Sequence, residues 1–132
     1  MLKATGILIL RRQDRALLLQ HRDKNKYIKY PNMWGSPGGH VKFNETYLEC
    51  ACRELFEETG YKVSNLKFLK TVKEKSIFGL TIVKLYWGLY DGKQKIKCYE
   101  GQNIKFIKLQ DIKKYKIVNI VLVAWKKIIK FI

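Results

Sequence analysis

The sequence predicts an α/β fold in which helices cover both faces of a central mixed β-sheet. Segments with the apolar alternation or β-rich composition of strands occur on both sides of a helical segment, and a second helical segment follows them. The order strands, helix, strands, helix is typical of a sheet sandwiched between helices. At 132 residues the chain is long enough for one hydrophobic core, and no Pro-, Gly- or Ser-rich stretch divides it. We therefore expect residues 1–132 to form a single domain.

The first elements are two strands. Residues 3–11 and 16–20 are β-rich and apolar, and the Gln-Asp pair at 13–14 between them is turn-like, which indicates a hairpin or two neighbouring strands. A polar, aromatic loop over residues 21–34 follows. A short strand is expected at residues 40–42.

The central helix carries signals at both of its ends. Thr46 and Glu49 have the spacing of a capping box, so the helix should begin near Thr46, and Gly60 suits the left-handed position that ends a helix. The expected apolar stripe consists of Leu48, Ala51, Cys52 and Leu55. We therefore expect the acidic residues of this helix to lie on the side opposite the core.

The second half of the chain repeats the pattern. Residues 66–73, 78–90 and 104–109 are expected to be strands, and the middle segment alternates over most of its length. Residues 117–130 supply the second helix.

Charge and cysteine content limit the classes of function. The net charge is +16, with 27 Lys plus Arg against 11 Asp plus Glu, which implies attraction to polyanions. The basic residues are almost all Lys and occur in every segment, so general solvation and compositional bias are favoured over a dedicated nucleic-acid groove. Three cysteines without zinc-site spacing indicate buried reduced thiols. Neither end of the chain has the pattern of a signal peptide or a membrane span, so we expect a cytoplasmic protein without membrane contact.

Acidic residues cluster in one short segment of this basic chain. Five of the 11 lie within residues 45–58, namely Glu45, Glu49, Glu54, Glu57 and Glu58. On a helix, Glu54, Glu57 and Glu58 share one face. Carboxylates at this spacing repel one another unless a cation lies among them. The segment therefore indicates a divalent-metal site with an anionic substrate.

The residues around this cluster fit a longer pattern, G-x5-E-x7-R-E-U-x-E-E-x-G-U, where U is a bulky apolar residue. Its fixed positions are occupied by Gly39, Glu45, Arg53, Glu54, Leu55, Glu57, Glu58 and Gly60, and only Tyr61 is an unusual choice for the last position. By this pattern the chain resembles the Nudix hydrolases of the MutT-like type. The resemblance implies the Nudix fold with a catalytic loop-helix-loop and hydrolysis of a nucleoside diphosphate linked to another group. It also implies Mg²⁺ or Mn²⁺ as the cofactor.

The resemblance implies roles for the acidic residues. Glu54, Glu57 and Glu58 would be metal ligands, and Glu54 would also orient or deprotonate the attacking water. Arg53 would pair with a neighbouring glutamate and hold the catalytic segment in shape. A later Glu-Gly-Gln segment would bring Glu100 to the metal, against the alternative of an exposed loop acid. The further residues expected at the metal are Glu45 and Gly39.

Substrate contacts are expected from other parts of the chain. Arg22 would contact phosphate, and Gly38 with Gly39 would let the backbone approach the phosphates. Trp34 would stack on a base and Asn119 would hydrogen-bond a purine edge. A surface position for Arg22 and core packing for Trp34 are the competing interpretations.

The predicted function is cleavage of a nucleoside triphosphate to monophosphate and pyrophosphate, with an oxidised purine nucleotide such as 8-oxo-dGTP as one candidate substrate. One alternative is an RNA 5′-end pyrophosphohydrolase related to decapping enzymes. Another is a non-catalytic module that binds a nucleotide. The preferred base, sugar and leaving group, the number of metals, the general base and the oligomeric state stay open.

Overall fold

The computed structural model describes residues 1–77 and 79–132. The elements follow one another as β1 (Leu2–Arg11), β2 (Ala16–His21), β3 (Trp34–Gly35), β4 (Gly38–His40), α1 (Tyr47–Thr59), β5 (Lys67–Ser76), β6 (Gly79–Leu89), β7 (Asn103–Ile107), a 3₁₀ helix (Leu109–Lys114) and α2 (Asn119–Ile129).

The strands form one mixed sheet in the order β3-β2-β1-β6-β5, with β4 paired to β1 and β7 paired to β2. β1 and β2 are antiparallel, as the hairpin prediction requires, whereas β1 and β6 are parallel from Leu2 opposite Thr81 to Leu10 opposite Leu89. β5 is the outermost strand on one side and pairs with β6 in an antiparallel manner.

Each face of the sheet has its own core. Leu8 and Leu10 of β1 pack in a cluster that includes Trp125 of α2. The alternate residues, Ile7 and Ile9, pack in a second cluster with Leu55 of α1. Side chains of a strand point alternately to the two faces, so the two helices cover opposite sides of the sheet. The predicted mixed sheet between helices is confirmed, whereas the single domain over residues 1–132 stays a prediction.

Several element boundaries differ from the expectation, and β5, for example, ends at Ser76 where residue 73 was expected. β4 occupies Gly38–His40 where residues 40–42 were expected, because the pairing partners of β1 are Gly38, Gly39 and His40. α2 begins at Asn119, since Ile117 forms an isolated bridge with Trp34 before the helix starts. The first residue of the expected strand 78–90, residue 78, lies outside the described residues.

The face that α1 buries differs from the predicted stripe. The capping box of Thr46 and Glu49 is present, and Gly60 ends the helix with φ of 76°. Leu48, however, is 45% exposed, and the buried residues are Cys50, Ala51, Leu55, Glu58 and Thr59. Positions 51, 55 and 58 lie along one side of a helix, so the expectation that all acids face away from the core is wrong for Glu58.

The cysteines are free thiols, and only Cys50 is buried as predicted, while Cys52 is partly buried and Cys98 is exposed. Of the helices in the described part of the chain, none has the length and apolar character needed to cross a membrane. The cytoplasmic location stays a prediction.

Candidate active site

The segment that carries Glu100 is fixed against α1 and β2 by backbone hydrogen bonds. The Tyr99 N–H donates to the Glu58 carbonyl at 3.0 Å, and the Gln102 N–H donates to the His21 carbonyl at 2.7 Å. Gly101 lies between them with φ of 83°, and a Cβ there would lie 2.6 Å from the His21 oxygen. This close approach places Glu100, although exposed, beside the end of α1.

Glu58 is the buried acid of the site, with 2% of its surface exposed. Its carboxylate accepts from Gln20 Nε2 at 2.9 Å and from the Gly38 N–H at 3.2 Å. Burial, together with the neighbouring carboxyl groups of Glu54 and Glu100, raises the pKa of Glu58 to about 9. Carboxyl groups from α1 and from the Glu100 segment therefore meet at Glu58.

Arg53 engages the other acids of the cluster. Its Nε and Nη2 donate to the two carboxylate oxygens of Glu45 at 2.6 and 3.0 Å, and Nη1 donates to Glu54 at 2.8 Å and to Glu57 at 3.3 Å. The hydrogen bonds to Glu45 are bidentate, and they lower the pKa of that carboxyl to about 2. A further bond to the His40 carbonyl at 3.1 Å ties Arg53 to β4.

Gly38 and Gly39 are required by close contacts rather than by unusual backbone angles. A Cβ on Gly38 would lie 2.1 Å from the Thr5 carbonyl oxygen of β1. A Cβ on Gly39 would lie 2.4 Å from the carboxyl carbon of Glu54. The glycine pair thus lets β4 pack on β1 while the Glu54 carboxylate lies directly over the backbone.

A cleft of about 900 Å³ lies beside these groups. Gly38, Gly39, Glu54, Glu100 and Arg22 contribute to its lining, together with residues of the 27–30 loop and of β5 and β6. This volume is in the range of small-molecule sites. The acidic group therefore opens into a space that is large enough for a nucleotide.

Of the predicted substrate residues, some line the cleft and others do not. Arg22 lines the cleft, although its Nε donates to the Lys29 carbonyl at 2.7 Å. Trp34 is 8% exposed, stacks on His21 with ring centroids 4.6 Å apart, and is not part of the cleft lining. Asn119 is exposed at the start of α2. Their contacts with a substrate stay predictions.

Two residues of the site were not singled out from the sequence. Gln20 holds Glu58, and its signal is that it is the one polar residue at the end of the apolar run 16–20. Glu74 lines the cleft on β5, accepts from the Tyr30 hydroxyl, and pairs with Lys29 Nζ at 3.1 Å. These contacts tie the 27–30 loop to β5 across the cleft. Glu74 is an isolated acid in a lysine-rich strand, which is a weaker signal.

The donor set of the site suits a hard divalent cation. Within residues 1–77 and 79–132, no three His, Cys, Asp or Glu side chains are arranged so that they could hold an ion as they stand. Burial, with the carboxyl groups of Glu54 and Glu100 close by, nevertheless raises the pKa of Glu58. Carboxylate oxygens are the ligands that Mg²⁺ prefers. The metal itself stays a prediction.

Known proteins resemble this chain in sequence and in fold. An 8-oxo-dGTP diphosphatase of Buchnera aphidicola is 36% identical over 91 residues, which cover 68% of this chain and 65% of that protein. The m7GpppN-mRNA hydrolase NUDT17 of Danio rerio is 39% identical over 59 residues, which cover 45% of this chain but only 20% of that protein. The MutT NUDIX hydrolase from Burkholderia pseudomallei has the same fold, with a TM-score of 0.81 at 22% identity and 95% coverage of both chains.

The match to the family is broader than any of these sequence alignments. The NUDIX domain model matches residues 2–125, which include the glycine pair, the whole acidic helix and the Glu100 segment. The chain therefore belongs to the Nudix hydrolase family.

Proposed function

We propose that this chain is a Mg²⁺- or Mn²⁺-dependent pyrophosphohydrolase that cleaves a nucleoside triphosphate to the monophosphate and pyrophosphate. The observation that carries the proposal is the convergence of Glu54, Glu58 and Glu100 beside the glycine pair at the edge of the 900 Å³ cleft. The similarity to an 8-oxo-dGTP diphosphatase supports an oxidised purine nucleotide as one candidate substrate.

Under this proposal, Glu54, Glu58 and Glu100 would hold the cation, and Glu57, Glu45 and the Gly39 backbone are proposed as further contacts. When bound, the cation would neutralise phosphate oxygens and make a coordinated water easier to deprotonate.

The residues of the chain supply orientation. Arg53 donates to one oxygen of Glu54, which leaves the other oxygen available to orient or deprotonate the attacking water. Gln20 and the Gly38 N–H hold the Glu58 carboxylate in a fixed direction. Arg22 lines the cleft and provides positive charge for the phosphates. Most of the acceleration should come from this fixed geometry.

The test is a screen of canonical and oxidised nucleoside triphosphates with Mg²⁺, in which the products are identified. Monophosphate and pyrophosphate are expected. Glu54→Gln and Glu100→Gln should each reduce turnover by orders of magnitude while the melting temperature stays near that of the native protein. Asp111→Asn, in the 3₁₀ helix and outside the cleft, is the matched control. Native turnover in both active-site variants would contradict the assignment.

A second candidate is hydrolysis at the 5′ end of RNA. The net charge of +16 and the similarity to an m7GpppN-mRNA hydrolase favour it. Hydrolysis of a free triphosphate and of a 5′-triphosphorylated RNA should be compared over a range of salt concentrations. A preference for RNA that falls steeply with salt would identify RNA as the substrate. All glutamates of the Nudix sequence pattern are present, which disfavours a non-catalytic module. Tight nucleotide binding without any product would favour such a module instead.

A further inference from the structure

A second surface of the molecule combines lysines with aromatic rings. On β5, exposed side chains alternate with partly buried ones from Thr71 to Ser76. Besides Lys67, which lies against the Trp87 ring, the exposed residues of β5 are Phe68, Thr71, Lys73 and Lys75. Phe68 lies opposite Tyr86 and Thr71 lies opposite Lys84 on β6. Tyr86 belongs to the core that α1 covers, so this set lies on the α1 side of the sheet.

The lysines on this side lie against the rings. Lys84 Nζ is 4.5 Å from the ring centroid of Tyr47 and 5.8 Å from that of Phe68, and Lys3 Nζ is 5.9 Å from the Tyr47 ring. Phe68 meets Tyr86 edge-on and is still 54% exposed. We name this surface the β5–β6 platform, and its residues are Lys3, Tyr47, Phe68, Lys73, Lys75 and Lys84.

The charge of the platform is uncompensated. None of its four lysines belongs to an ion pair among the described residues. The residues in register with them on β5 and β6 are Thr71, Leu80 and Ile82, and none of these is an acid. Glu74, the acid of β5, points to the other side and is engaged by Tyr30 and Lys29. Clustered positive charge of this kind complements a phosphate backbone.

The platform adjoins the cleft through β5. Glu74 and Ser76 line the cleft, while Lys73 and Lys75, the alternate residues of the same strand, point to the platform. β5 is the outermost strand, so a chain that leaves the cleft over this edge of the sheet reaches the lysines directly.

We propose that the β5–β6 platform binds single-stranded nucleic acid, with a base stacked on Phe68 and backbone phosphates at Lys73, Lys75 and Lys84. Exposed aromatic rings between basic groups are the features that such ligands need, because every base has a face that can stack and every nucleotide carries a phosphate. An anionic membrane would use the lysines but gains no stacking from Phe68. This binding is an activity distinct from hydrolysis and does not depend on it.

The experiment measures the anisotropy of fluorescent single-stranded oligonucleotides of about 12 nucleotides, a length within the site sizes of single-strand binders. RNA and DNA versions with a 5′-hydroxyl group are used, because a probe without an anhydride reports binding whatever the fate of the hydrolysis proposal. Binding of either probe through the platform supports the proposal. The probe that binds more tightly shows whether RNA or DNA is preferred.

Two double variants remove equal charge from different places. Lys73→Gln with Lys75→Gln should raise Kd about tenfold and lower the slope of log Kd against log salt by about 1.4, because each phosphate contact to a single strand contributes about 0.7. Lys126→Gln with Lys127→Gln, on exposed positions of α2, should leave the slope unchanged. Phe68→Ser should raise Kd on the order of tenfold without changing the slope.

A melting temperature near that of the native protein serves as the check that each variant is folded. Equal losses in the two double variants would overturn the proposal. So would undetectable binding of both oligonucleotides, or tighter binding to phosphatidylserine vesicles than to either oligonucleotide.

Discussion

Replacing Gly39 by Ala should damage catalysis while leaving the fold nearly intact. The new Cβ would lie 2.4 Å from the carboxyl carbon of Glu54 and 2.5 and 2.6 Å from its oxygens, whereas ordinary contacts begin at 3.4 Å. The carboxylate must therefore move by about 1 Å, and a misplacement of about 1 Å at a catalytic group costs on the order of 100-fold in rate. We expect kcat to fall by about that factor.

The effect on stability should be small for two reasons. The displaced group is the end of a flexible side chain, and the backbone of Gly39 is not in the left-handed region, so Ala fits its backbone angles. The gain of about 0.4–1 kcal/mol from a less flexible unfolded chain offsets much of the disturbed contact with Arg53. The free energy of unfolding should therefore change by less than about 1 kcal/mol.

Two other glycines supply the controls. Gly38→Ala would place a Cβ 2.1 Å from the Thr5 carbonyl oxygen, and this backbone atom cannot move without disturbing the pairing of β1 with β4. It should lower the free energy of unfolding by about 2 kcal/mol or more. Gly88→Ala meets Leu66 at 3.4 Å and should change neither property. Thermal melts and kcat would be measured for all three, and a native kcat in Gly39→Ala would refute the reasoning.

Three further predictions follow from other contacts of the site. In metal-free buffer the melting temperature should fall as pH rises from about 5 to 9, because Glu58 keeps its proton when folded up to a pKa of about 9 but releases it when unfolded near 4.5. Glu58→Gln should flatten this slope in melts with EDTA, and an unchanged slope would show that another group causes it. Tyr30→Phe removes the hydrogen bond to Glu74 across the cleft, so KM should rise several-fold at nearly constant kcat in steady-state assays; a fall in kcat alone would count against a positioning role. Arg53→Lys loses the bidentate contact with Glu45, so the pKa of that carboxyl should rise from about 2 towards its usual value in an NMR titration. An unshifted titration would exclude Arg53 as the cause.

The parts of the fold that the sequence predicts well are those with local signals. Thr46 and Glu49 form the predicted capping box, and Gly60 takes the predicted left-handed conformation. These contacts span only a few residues, so the chain encodes them directly. The spacing of the Nudix sequence pattern likewise places Glu45 eight residues before Arg53, and the two side chains are within hydrogen-bond distance.

The parts that the sequence does not predict depend on which side of an element meets the sheet. The helical period places Glu58 equally well beside Glu54 or beside Leu55, and only the docking of α1 decides that it is buried. Its partner Gln20 is 38 residues away in the chain, on a strand whose neighbours are set by long-range pairing. Such contacts have no local signature.

The grouping of the lysines in space is also not predicted by the sequence. In the sequence they are spread over every segment, which favoured solvation as their role. The alternation of β5 and its register with β6 nevertheless bring Lys73, Lys75 and Lys84 to one side of the sheet with Phe68. Charge that is diffuse along the chain is therefore concentrated in space by the pleat of two paired strands.

Under the proposed function, the acidic residues of the site and the lysines of the surface have different roles. Arg53 engages Glu45 and Glu57, while Glu58 and Glu100 lie together without a basic partner among the ion pairs of the described residues. In a chain of net charge +16, a divalent cation would be attracted to the acidic site formed by Glu58 and Glu100. Binding of the cation would release the proton that Glu58 holds. Metal affinity should therefore rise with pH up to about 9, while the lysines of this basic chain attract the polyphosphate.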